Sequence, residues 1–315
     1  MLFYALRRIV IFAPTLFITL TLIFVLTRML PGSPVASLLG GQSVNAAKIE
    51  EVSRQLGLDR PILVQYFEWL PKILSGSLGQ SMFFDKPVAE VLLQRFPVTL
   101  SLTVFALLVT IAIGIPLGVL SAVKRGSFFD YLGNVLSSLG MALPPFWLGF
   151  VLILVVAVGL KWLPSSGYRP IDMGLWPWFS RLILPTIALS LSQIGLIVRM
   201  TRSTMLEVLE TEYVSMARAK GMPEWIVITR HALRNAMVQI ITAIGLLFAL
   251  GLGGSVIIEQ VFALPGLGEL ITTAAIRRDY ATLEGGIFYL TLTALLVNLV
   301  VDLAYAYFNP RVRLA

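Results

Sequence analysis

Six stretches of the chain stay apolar for about 20 residues, the length an α-helix needs to cross the ~30 Å hydrocarbon core of a bilayer. They run from about Ile9 to Met29, Val98 to Val123, Tyr131 to Leu160, Leu182 to Met200, Val238 to Ile258 and Gly285 to Tyr307. The fourth is the least apolar, because Ser190, Ser192 and Gln193 dilute it. Pro116 and the Pro144-Pro145 pair predict kinks in the second and third spans. The pattern predicts an all-α, polytopic bundle of six transmembrane helices. The first stretch is longer than the apolar part of a cleavable signal, which runs to about 7–15 residues. The weak small-residue site at Val35-Ala36-Ser37 leaves it read as an uncleaved anchor.

Three connections carry patterns of their own. In 31–97 the polar and apolar positions alternate with helical spacing. Ile49, Val52 and Leu56 end at Gly57. Asp59 and Pro61 then open a second helix with Ile62, Tyr66, Trp69, Leu70 and Ile73 on one side. Asp85 before Lys86-Pro87 repeats the start signal ahead of Val88, Val91 and Leu92. This stretch reads as a small external helical cap, either packed on the bundle or docking a partner. In 201–237, a helix over Glu207 to Lys220 ends at Gly221 in a left-handed turn, and Pro223 starts another. Ile226, Val227, Leu233 and Ala236 make the second helix apolar on one side, while Arg218, Lys220, Arg230 and Arg234 make the hairpin basic. Such a hairpin suits docking of a partner or contact with anionic lipid. In 260–284, Pro265-Gly266-Leu267-Gly268 favours a turn between apolar flanks, which reads as a re-entrant external loop.

Composition agrees and orients the chain. Of 315 residues, 57% are hydrophobic and 13% charged, too apolar for one soluble core and too poor in charge for disorder. Lys and Arg exceed Asp and Glu by seven. If the N-terminus is cytoplasmic, the segments 1–8, 124–130, 199–237 and 308–315 hold 12 of the 24 basic residues. The five acids there (Asp130, Glu207, Glu210, Glu212 and Glu224) leave those segments with the chain's whole net charge of +7. Positive residues favour the cytoplasmic side, so both termini are expected there. A basic balance in such a chain speaks for lipid or a cytoplasmic partner, not nucleic acid. Cysteine is absent, which removes disulfides and thiolate chemistry.

Catalytic chemistry finds little support. His231 is the single histidine, so a histidine pair for zinc does not exist. No G-x-x-x-x-G-K-[ST] phosphate loop occurs. Asp302 lies near the inner end of the sixth span, as a path residue or a structural partner to a polar group. Glu259 lies at the outer end of the fifth span and reads as interfacial. Ser138 and Gln193 are polar positions that line a path or bond helix to helix. An ion-coupled secondary transporter with Asp302 as the ion site is the rival from another class.

The stretch EYVSMARAKG followed by HALRNA resembles the cytoplasmic coupling motif of bacterial ABC-importer membrane subunits. That motif sets a small residue four positions before a glycine and a leucine twelve after it; here these are Ala217, Gly221 and Leu233. MLPGSP at 29–34, QLGLDRP at 55–61, VFALPGLGELI at 261–271, RRDY at 277–280 and FNPRVR at 308–313 follow in the order of the dipeptide/oligopeptide branch. The resemblance spans essentially the whole chain. It implies one permease domain over 1–315, of the type I importer kind, in the bacterial inner membrane. It implies a second homologous permease, two ATPase subunits that carry the ATP and Mg, and an external binding protein, with no cofactor in this chain. Coupling would fall on Glu212, Tyr213, Ala217, Arg218, Ala219, Lys220, Gly221, His231, Leu233, Arg234 and Asn235. Related permeases carry dipeptides, oligopeptides, glutathione or nickel complexes. The chain departs from the pattern at Ser33 and Ser77, where the family usually has acids.

Overall fold

The computed structural model describes residues 2–308 except 30–49, Val52, Gln55, Leu56 and Leu58, with backbone only at 2–9 and 304–308. The helical signal at Ile49 to Leu56 and the departure at Ser33 lie largely or wholly outside these residues.

The helices are α1 (Leu2–Met29), α2 (Ile62–Leu74), α3 (Val88–Val123), α4 (Phe128–Ala142), α5 (Pro145–Gly159), α6 (Leu175–Leu209), α7 (Glu212–Ala219), α8 (Glu224–Val261), α9 (Leu267–Arg277) and α10 (Tyr280–Phe308). Two short strands, β1 (Gln80–Ser81) and β2 (Lys86–Pro87), form a hairpin that pairs Ser81 with Lys86. Among the described residues, five helices are long and apolar enough to cross a membrane, and six crossings result if α4 and α5 form one broken span.

The third span is where the fold departs most from the sequence pattern. In place of a kink, α4 and α5 meet at 99° across Leu143-Pro144. Leu143 and Pro144 are both extended, with ψ of 122° and 134°. A residue before proline is pushed out of the helical region, so two successive prolines break the helix outright. The second span differs in the other direction. The expected helix near Val88 and the span from Val98 fuse into one 36-residue helix that continues through Pro97 and Pro116. Asp85 does not start it; with φ of +51° it sits in the β-hairpin turn.

By packing, the chain forms two compact units: Met1–Ile9, Leu100–Leu264 and Ala294–Ala315 in one, Val10–Thr99 and Pro265–Thr293 in the other. The first unit has its core at Ile197, Met205, Ala232, Ala236, Ile240 and Leu247, all buried between α6 and α8. Of the polar residues that made the fourth span look weak, Ser190 and Gln193 are buried and Ser192 is half-buried, and α6 is the most buried of the five long helices. Gln193 donates to the Leu247 carbonyl (3.4 Å) and accepts from Thr110 (3.2 Å), so one amide ties α3, α6 and α8 together. Gly140 on α4 rests against the Leu191 carbonyl of α6, where a Cβ would overlap the oxygen. Glu259, expected at an interface, is fully buried.

The second unit packs Val88 and Leu92 against Leu267 and Leu270. Its polar ties are buried too. Glu284 accepts from Thr27 (2.8 Å) and from Arg28 (2.7 Å), joining α10 to α1. Asp279 accepts from Ser81 (2.5 Å) and Thr282 (2.7 Å), which fastens the β-hairpin to the start of α10.

Candidate functional site

The segment 201–237 forms a helical hairpin at the foot of the first unit. The expected helix over Glu207 to Lys220 is divided: α6 ends at Leu209, and α7 begins at Glu212 after Thr211 in extended conformation. Gly221 then takes φ of +74°, the left-handed turn its position predicts, with nothing within 4 Å of where a Cβ would stand. Glycine is therefore required by backbone conformation, not by space. Met222 donates to the Ala217 carbonyl (3.3 Å) and Gly221 to the Arg218 carbonyl (2.9 Å), closing the end of α7. Ile226 and Val227 then donate to the Pro223 carbonyl, so α8 starts directly after proline.

A small core holds the two arms together. Val214 and Ala217 pack on Val227, with Val208 and Leu209 alongside. Ala217 is small because it is buried in this contact. Leu233 packs on the core between α6 and α8. Asn235 donates to the Tyr213 hydroxyl (2.9 Å), which in turn donates to the His231 carbonyl (3.5 Å). His231 thus enters the site through its backbone.

The sequence reading missed one element of the turn. Arg218 donates to both carboxylate oxygens of Glu224, with its shortest contact at 2.8 Å, bridging the glycine from α7 to α8. The Glu224 carboxylate, as hydrogen-bond acceptor, holds the Arg218 guanidinium above its ordinary value. A spacing of six across a Gly-x-Pro turn was the available signal. Glu212, Tyr213, Arg218, Ala219, Lys220, Gly221, Arg234 and Asn235 are exposed and form a solvent-facing surface. Arg234 and Lys220 make no ion pair among the described residues.

The remaining candidates separate. Ser138 opens on a cleft of about 490 Å³ between α4 and α6, with Asn134, Ser137, Arg199, Arg202 and Ser203. Arg202 donates through Nε (2.7 Å) and Nη2 (3.1 Å) to buried Asp130, which also accepts from the Gly126 amide (2.9 Å) and Asn134 (3.2 Å). Gln193 is enclosed in the bundle and does not line that cleft. Asp302 is half-buried on α10. Within the Pro265 to Gly268 turn Gly266 is extended and Gly268 helical, and the left-handed residue is Ala263 just before it, with φ of +48°. The Leu267 amide donates to Thr99 Oγ1 (2.8 Å), which secures the first turn of α9. Among the described residues, no group of three His, Cys, Asp or Glu could hold a metal.

Comparison with known proteins places this architecture. Residues 114–314 match the family described as "Binding-protein-dependent transport system inner membrane component", and residues 1–103 match "Binding-prot-dependent transport system membrane comp, N-term". A permease protein of Brucella abortus (strain 2308), named for a peptide transport system, is 41% identical over 98% of both chains. The dipeptide transport system permease of Escherichia coli (strain K12) is 40% identical over 99% of both. In fold, the chain is similar to a chain in an inward-facing structure of the MetNI methionine ABC transporter, with a TM-score of 0.59. That similarity has 19% identity and covers 71% of this chain and 98% of that one.

Proposed function

This chain belongs to the binding-protein-dependent transport system inner membrane component family, and from that premise we propose that it forms half of a translocation path for peptides. It is a multi-pass, non-catalytic subunit of an ATP-driven importer. The observation that carries the peptide assignment is the 40% identity with a dipeptide permease over 99% of both chains.

In this reading the hairpin 201–237 seats on an ATPase subunit on the cytoplasmic side, and both termini lie on that side. A homologous permease completes the path, two ATPases hydrolyse ATP, and an external binding protein delivers the peptide. The cap at 31–97 and the turn at 260–284 face the binding protein, and anionic lipid contacts the basic inner rim. The exposed basic surface around Gly221 and the direct continuation of α8 from hairpin to span support this reading. Closure of the ATPases moves the hairpin, and the helix carries that movement into the bundle. The cleft at Ser138 and Arg199 borders the path, while Asp302 and Gln193 hold helices in place.

The test is uptake of a labelled dipeptide into proteoliposomes holding this chain, its homologous partner and two ATPases, with the binding protein outside. Uptake should require ATP and every subunit. Uptake by this chain alone, driven by an ion gradient, would overturn the assignment.

A further inference from the structure

The cleft between α4 and α6, about 490 Å³ in volume, is a polar opening in an otherwise apolar bundle. Asn134, Ser137 and Ser138 line it from α4, and Arg199, Arg202 and Ser203 from α6. Positions 134, 137, 138 and 141 recur at helical spacing, and so do 199, 202 and 203, so each helix presents one stripe to the cleft. Met141 is the single apolar residue of the described lining, and no Asp or Glu belongs to it.

Behind the lining, Asp130 engages Arg202 through Nε (2.7 Å) and Nη2 (3.1 Å). Asp130 is itself fixed by the Gly126 amide and by Asn134. The Arg202 guanidinium is thereby held in place, while its Nη1 has no partner among the described residues. Arg199, one turn earlier on α6, makes no ion pair or hydrogen bond among the described residues. Two guanidinium groups against the Asp130 carboxylate leave one positive charge in excess.

Donors stand around that charge. Ser190 and Ser192 of α6 bond back to the carbonyls of Ile187 and Leu189, a common resort for serine within a helix. The hydroxyls of Ser137, Ser138 and Ser203 make no such bond and have no partner among the described residues. Arg199 also stands one residue before the end of the fourth apolar stretch, at Met200. A charged side chain at that depth is stable against an opposite charge, a polar group or water.

One excess positive charge among hydroxyl donors suits a single carboxylate. A phospholipid headgroup would bring acyl chains, which need an apolar wall that this lining lacks. A pocket for an apolar side chain would need the same wall. What remains is the group that peptides carry whatever their sequence. We propose that the cleft receives the C-terminal carboxylate of a peptide, on Arg199 and on Nη1 of Arg202, with the serine hydroxyls as further donors. The proposal rests on the peptide reading above and adds that the path holds its cargo without reading side chains. Arg202 is the preorganised donor and Arg199 supplies the net charge.

The test is a ligand-observed NMR titration of the full-length chain in phosphatidylcholine nanodiscs with N-acetyl-glycyl-glycine, and with its C-terminal amide as the neutral twin. The acid should bind at least roughly tenfold tighter than the amide, the scale of one charge-assisted contact. N-acetyl-glycyl-L-leucine should bind within about threefold of the glycine acid, since no wall reads the side chain. Arg199→Gln should remove the preference for the acid. Ser138→Asp, which places a carboxylate in the cleft itself, should remove it by a second route. Lys161→Gln, which deletes a charge in the loop after α5, should keep it. Equal binding of acid and amide, absence of binding, a preference that survives Arg199→Gln, or one lost in Lys161→Gln would overturn the proposal. So would leucine binding tenfold or more tighter than glycine, which marks a side-chain pocket. Displacement by inorganic phosphate as effective as by the acid would mark a bare anion site and overturn it too. Loss of acid binding in phosphatidylglycerol nanodiscs would assign the cleft to a lipid headgroup, with the same consequence. The titration needs no ATPase, so its failure leaves the importer reading intact, and failed ATP-driven uptake leaves a positive titration standing.

Discussion

Gly221 shows how a single residue can be read from sequence and then sharpened by geometry. Its φ of +74° and the empty space around it separate conformation from crowding. Asparagine tolerates the left-handed region and valine does not. Gly221→Asn should therefore retain most ATP-dependent uptake, whereas Gly221→Val should abolish it while membrane insertion persists; uptake and membrane fractionation together check this. Had crowding been the cause, both variants would fail alike. The neighbouring Arg218–Glu224 pair is exposed, and such pairs contribute only about 0–1 kcal/mol to stability. Its role is to brace the turn, so Arg218→Glu should weaken co-purification with the ATPases and the added Glu224→Arg should restore it. A double variant as weak as the single one would mean that Arg218 contacts the ATPase directly. The glycine was legible because its backbone demand is local. The pair was not, because only the folded turn brings position 218 to position 224. Asp130 likewise falls among the acids of the 124–130 loop by sequence, yet it is buried against Arg202. Asp130→Asn should lower the stability of the detergent-solubilised protein by roughly 2–3 kcal/mol, below the fully buried case because Arg202 keeps a quarter of its exposure. Thermal unfolding measures it.

At the scale of elements, the apolar pattern located every long helix but not how each is interrupted. Length and hydropathy are additive along a segment, so they survive without knowledge of packing. Breaks depend on what stands beside a proline. Pro97 and Pro116 lie inside α3 without ending it, whereas two successive prolines separate α4 from α5 by 99°. The polar residues of α6 misled for a related reason: hydropathy cannot tell a serine facing lipid from one facing another helix. Close packing of α4 on α6 has its own test. A methyl group at Gly140 would meet the Leu191 carbonyl, and carbonyl backbone cannot move aside as a side chain can. Gly140→Ala should lower the unfolding temperature more than Gly253→Ala, where a Cβ meets nothing within 4 Å. Equal losses would show that helix propensity, not contact, sets the cost.

For the whole molecule, the excess of seven positive charges and its distribution gave an orientation, while the fold shows how the hairpin and the bundle are joined. The apolar pattern separates the second hairpin helix from the fifth span, which it starts at about Val238. They are one helix of 38 residues, about 57 Å at 1.5 Å per residue. Within it, Val227–Leu233 is wound as a π-helix. Wider winding over seven residues takes up about one residue more than α-helical winding would. One residue corresponds to about 100° of rotation about the axis. The hairpin and the span are therefore set in two angular registers, with the surplus residue as the offset between them. Deleting exposed Thr229 should let this stretch rewind as α-helix and leave the span's faces where they are, with Gln239 still reaching Thr204 at 2.8 Å. Inserting one alanine there should instead turn Ile240 and Leu247 out of the core and prevent assembly, as size-exclusion chromatography would report.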